Sequence, residues 1–84
     1  MMAFKKFEYL HFSKKLYEAT YRFTFIISDH DSELLIQNTQ GLASMSFPIR
    51  NKKIDWLYRS YSFPYGIIEA ADFQLRKIYL TAFS

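Results

Sequence analysis

Apolar and polar residues alternate along most of this chain, and the spacing becomes helical only near Ile67. The clearest alternation runs from Thr20 to Thr39. In its first arm Tyr21, Phe23, Phe25 and Ile27 alternate with Arg22, Thr24, Ile26 and Ser28. These are aromatic and β-branched types at period two, which suit a pleated, half-buried strand. The second arm carries Leu34 and Ile36 on one side, Leu35 and Gln37 on the other. Between them Asp29–Ser32 is polar and holds no glycine, so a four-residue loop is expected rather than a tight primed turn. Such a loop sets Ser28 opposite Glu33, Ile27 opposite Leu34 and Phe25 opposite Ile36. Directly opposed residues share a face, so one side collects Tyr21, Phe23, Phe25, Ile27, Leu34 and Ile36. A slip of one residue would break that apolar face apart.

The flanking segments extend the pattern. Residues 4–12 place Phe7, Tyr9 and His11 against Glu8, Leu10 and Phe12. A strand is preferred because aromatics dominate and no N-cap precedes the run; a helix from Ala3 to Ala19 is the alternative. A turn at Ser13–Lys15 would put Phe7 opposite Tyr21 and Tyr9 opposite Ala19. After Gln40-Gly41, residues Ala43, Met45, Phe47 and Ile49 alternate with Leu42, Ser44, Ser46 and Pro48. A second polar loop, Arg50–Lys53, would set Ile49 opposite Ile54, Phe47 opposite Trp56 and Met45 opposite Tyr58; a helix over Ile54–Tyr61 is the runner-up. Phe63-Pro64-Tyr65-Gly66 breaks the chain. Over residues 67–82 the residues Ile68, Ala71, Leu75, Ile78 and Ala82 fall on one helical stripe, with Glu69 and Asp72 early and Arg76 and Lys77 late, an order that suits the helix dipole. The fold expected is α+β, a single domain over residues 1–84: an antiparallel meander of four to five strands with a C-terminal helix on its aromatic face.

Composition adds three constraints. Half of the 84 residues are hydrophobic and a fifth aromatic, which marks a chain that folds. Cysteine is absent, so disulfides and thiolate metal sites are excluded and nothing staples a small core. The net charge of +3 is mild, and its sign argues against mimicry of DNA. No apolar run approaches the ~20 residues of a membrane span, and the first residues lack the apolar core of a secretory signal, so a cytoplasmic location without membrane contact is expected. The absence of valine beside heavy use of Phe, Tyr, Ile and Lys suggests an AT-rich coding source such as a phage or mobile element.

Candidate chemistry is sparse. Asp29, His30, Asp31 and Glu33 form the densest ionisable group, but turns favour these types and the calcium-loop pattern is missing; no metal or cofactor is expected. His11 falls on the aromatic side and reads as a core or interface residue. No phosphate loop, nucleophile elbow or paired-histidine motif is present, and no catalysis is expected. The basic pairs would divide between the two ends of a meander, Lys14 and Lys15 at one, Arg50, Lys52 and Lys53 at the other, which makes a poor phosphate track. The surplus is apolar. One helix covers one sheet face, and Ile26, Leu35, Leu57, Tyr61 and Phe63 would lie on or beside the second. The expected function is non-catalytic binding of a protein, either a second copy in a homodimer or a host factor that a phage-type inhibitor would target. The alternative is a small nucleic-acid-binding protein using those Lys and Arg pairs with exposed aromatics.

Overall fold

The structure, a computed structural model, describes residues 4–13, 19–29, 31–39, 44–60 and 63–82. Five strands, β1 (Phe4–Ser13), β2 (Ala19–Ser28), β3 (Ser32–Asn38), β4 (Ser44–Arg50) and β5 (Lys53–Ile54), are followed by a 3₁₀ turn at Trp56–Tyr58 and by helix α1 (Tyr65–Ala82). The strands form one antiparallel meander in the order β1-β2-β3-β4-β5. The N-terminal segment is thus a strand, as its aromatic alternation predicts.

The register differs from the expected one by even steps. Phe25 lies opposite Leu34 and Phe23 opposite Ile36, two residues from the predicted Phe25–Ile36 pair. The loop causes the shift. Ser28 Oγ accepts from the Asp31 amide at 2.9 Å and donates to the Asp31 carbonyl. Ser32 Oγ accepts from the Ser28 amide at 3.1 Å and donates to the Ser28 carbonyl at 3.2 Å. These bonds curl the chain before the ladder closes. Likewise Phe7 meets Phe25 and Tyr9 meets Phe23, not Tyr21 and Ala19. Side chains alternate with period two, so an even shift leaves each one on its predicted face.

The second hairpin is tighter and shorter than expected. Ile49 does pair with Ile54, but Arg50 pairs with Lys53 across a two-residue turn. Asn51 and Lys52 have φ of 55° and 63° there, the double positive φ of a type I′ turn. The ladder stops at Ile54, so the expected Phe47–Trp56 and Met45–Tyr58 pairs do not form. Asp55 ends it: its amide donates to the Pro48 carbonyl at 2.8 Å, and its carboxylate accepts from the Leu57 amide at 3.2 Å, capping the 3₁₀ turn. Trp56 still reaches Phe47, with ring centroids 5.1 Å apart.

The core is the predicted aromatic face. Phe23, Phe25, Leu34, Ile36 and Phe47 from the sheet bury against Ile67, Ala71, Leu75 and Ile78 of α1. The helix begins two residues before the predicted start, just after Pro64, whose carbonyl accepts from the Ile67 and Ile68 amides. Ile67 leads the buried stripe in place of Ile68, which is half-buried. The earlier start also corrects the dipole argument, since no acid falls in the first turn and no base in the last, where such charges act. Among the described residues no helix is long and apolar enough to cross a membrane.

Candidate functional site

The face of the sheet opposite α1 is built by the residues that alternate with the core. The register sets its rows: Lys6–Ile26–Glu33–Pro48, Glu8–Thr24–Leu35–Ser46 and Leu10–Arg22–Gln37–Ser44. Phe12 and Phe4 extend it at the two ends of β1. Its centre is shielded, since Thr24 is buried and Ile26 and Leu35 are half-buried. The apolar exposure lies on β1 instead, where Phe4, Leu10 and Phe12 are 61%, 58% and 53% exposed. At one end Phe4, Ile26, Glu33, Pro48 and Tyr58 line a shallow depression of about 420 Å³.

Arg59 limits this face on the β4 side. Its Nε donates to the Ser46 carbonyl at 2.7 Å and its Nη2 to Ser46 Oγ at 3.1 Å. Beyond the short β5 the guanidinium thus occupies the open edge of β4.

The predicted binding residues divide. Ile26 and Leu35 lie together on the reverse face, on adjacent rows. Leu57 is 93% exposed but sits on the 3₁₀ turn, not on a strand. Phe63 lies on the helix side, its ring against Phe47 at 5.8 Å and Trp56 at 6.3 Å. Tyr61 is outside the described residues. Phe4, Leu10, Phe12 and Tyr58 were missed as candidates, although the alternation of residues 4–12 already set Leu10 and Phe12 opposite the aromatic side.

The basic hairpin is partly engaged. Arg50 pairs with Asp55 at 3.5 Å, and Lys52 Nζ lies 5.7 Å from the centre of the Tyr79 ring. Burial raises the Tyr79 hydroxyl above its usual pKa, against a smaller opposing effect of its hydrogen bond with Ser32. Lys53 is exposed, and Lys14 and Lys15 are outside the described residues.

A second concavity, about 560 Å³, lies between the core-side residues of β1 and the first half of α1. Tyr9 and His11 form one wall, and Tyr65, Glu69, Phe73 and Arg76 the other. The His11 ring lies 6.1 Å from that of Phe23 at an interplanar angle of 16°, so it is stacked on the core, as its place on the aromatic side predicts. Asp72 on the same wall accepts from Trp56 Nε1 at 3.0 Å. The spacing of residues 65, 69, 72, 73 and 76 was the available sequence signal for this wall, since side chains three and four apart share a helix face. Asp29 and Asp31 are exposed in their loop, and His30 is outside the described residues. Among the described residues no three of His, Asp and Glu are grouped so as to hold a metal ion. Compared with known proteins, the chain matches no family model, no curated protein and no solved structure.

Proposed function

We propose that this chain is a non-catalytic protein-binding module that works through the sheet face opposite α1. The observation that carries the reading is the set of exposed apolar side chains on that face, Phe4 beside half-buried Ile26 at one end of β1 and Leu10 and Phe12 at the other, with the Lys6–Glu8 pair between them. Exposed apolar surface of this kind, with aromatic rings and an arginine nearby, is typical of protein contacts. An inhibitor or adaptor acting on a host factor fits the size and residue usage. Nucleic-acid binding is the weaker reading, because Arg50 is held by Asp55 and Lys52 by the Tyr79 ring.

The test is capture from a lysate of the natural host, with and without nuclease, using wild type, Phe12→Asp and Leu35→Asp. The expected partner survives nuclease and is lost from both variants, while their circular dichroism matches wild type. Retention by both folded variants, or loss on nuclease treatment, would refute the reading.

A further inference from the structure

The strand β1 ends the sheet. Among the described residues it pairs only with β2, so the amides and carbonyls of its outer edge face no other described strand. It is ten residues long and contains neither proline nor glycine. Such an edge is a template for another strand unless its side chains forbid the pairing. Lysine is a common blocker, and Lys5 and Lys6 stand here. Glu8, however, lies two residues beyond Lys6 on the same face and contacts it at 3.4 Å, with both side chains more than half exposed.

Self-pairing can be tested by arithmetic. In an antiparallel pair opposite residues share a face, and a two-fold axis normal to the sheet keeps both helices on one side. The numbers of opposed residues must then sum to an even value. A sum of 12 sets Lys6 against Lys6, and a sum of 16 sets Glu8 against Glu8; both place like charges in contact. A sum of 18 leaves Lys6 opposite Phe12 and Glu8 opposite Leu10, with neither charge meeting an opposite one on the other copy. A sum of 14 sets Lys6 opposite Glu8 twice and Phe4 opposite Leu10 twice, with Phe7 facing its own copy on the axis. Charges and apolar groups are complementary together only in this last register.

We infer that β1 pairs with β1 of a second copy of this chain, antiparallel and centred on Phe7, joining two five-stranded sheets into one of ten strands. Lys6 and Glu8 of the two copies then form a cluster of four alternating charges beside two Phe4–Leu10 contacts. The opposite edge does not propagate the assembly, because Asp55 and Arg59 occupy β4 beyond its short partner. This pairing runs through a strand edge, and its Phe4–Leu10 contacts draw on two of the apolar side chains of the face proposed for partner binding, whereas Phe12 and Leu35 take no part in it. It does bring the reverse faces of both copies to one side.

Sedimentation equilibrium on the purified chain tests it. Wild type is expected to show a monomer–dimer equilibrium that weakens with salt. Lys6→Glu alone sets a carboxylate opposite Glu8 of the other copy, and Glu8→Lys alone sets an ammonium opposite Lys6. Each is expected to weaken self-association by about tenfold, since two cross-strand pairs turn from attractive to repulsive. An equimolar mixture of the two variants restores opposite charges across both pairs and is expected to dimerise as wild type does. A wild type that remains monomeric, single variants that dimerise unchanged, or a mixture that fails to recover would each overturn the pairing. Both substituted positions carry exposed charges, so circular dichroism is expected to be unaffected, and the capture experiment with Phe12→Asp and Leu35→Asp stands or falls separately.

Discussion

Leu34 and Leu35 are neighbours on one strand, and truncating each to alanine separates the two faces of the sheet. Leu34 is fully buried between Phe25 on β2 and Phe47 on β4. Removing its isopropyl group leaves a hole between two large rings. Buried leucine truncations of this kind cost about 3–5 kcal/mol. A chain of this length has a total stability of roughly 4–13 kcal/mol, so Leu34→Ala is expected to lower the melting temperature by about 12 °C or more. Leu35 is half-buried between Thr24 and Ser46, with no element of the structure packed over it as α1 is packed over Leu34. Its truncation forfeits part of one side chain's burial, about 1 kcal/mol. Urea titration of both variants, followed by far-ultraviolet circular dichroism and by Trp56 fluorescence, measures the difference. Equal costs for the two would refute the face assignment, because they would mean that the surface opposite α1 is as buried as the core.

Two further outcomes follow from side-chain contacts. The pKa of Tyr79 is raised from 10.0 in the folded chain. The unfolded chain then releases that proton first, so this contribution to stability is complete below about pH 10 and is lost as the pH rises through the folded value. Tyr79→Phe is expected to flatten the alkaline limb of a stability–pH curve, and an unchanged limb would disprove the assignment. Trp56→Phe keeps a ring against Phe47 and Phe63 but removes the donor to Asp72; a loss of about 1–2 kcal/mol is expected, read by circular dichroism because Trp56 is the only tryptophan. Stability equal to wild type would mean that water replaces the bond at no cost.

The faces of the strands were legible in the sequence even where their pairing was not. Alternation assigns Phe23, Phe25, Leu34, Ile36 and Phe47 to one side, and any even register preserves that assignment. The register itself depends on loop bonds between Ser28, Asp31 and Ser32 that no hydrophobic pattern encodes. The early end of the second hairpin has the same origin. Trp56 and Tyr58 continue the alternation, yet Asp55 takes a ladder position with its amide and caps a helical turn with its carboxylate. Phe63 was expected beside the second face, near the end of a longer β5; that strand stops at Ile54, and the Phe63 ring lies against Phe47 and Trp56 instead.

The sequence by itself determined the α+β class, the C-terminal helix and the sheet's side of the core, because periods of two and 3.6 are properties of the backbone that local residue order must match. Tertiary structure alone decided what is exposed. Ile26 and Leu35 share the open face with Leu10 and Phe12, but neighbouring strands shelter the first two, while β1, at the sheet margin, has a neighbouring strand on one side only among the described residues. Period two tells which way a side chain points. Whether water reaches it depends on how many strands lie beside it, and that number is set by the order of the sheet.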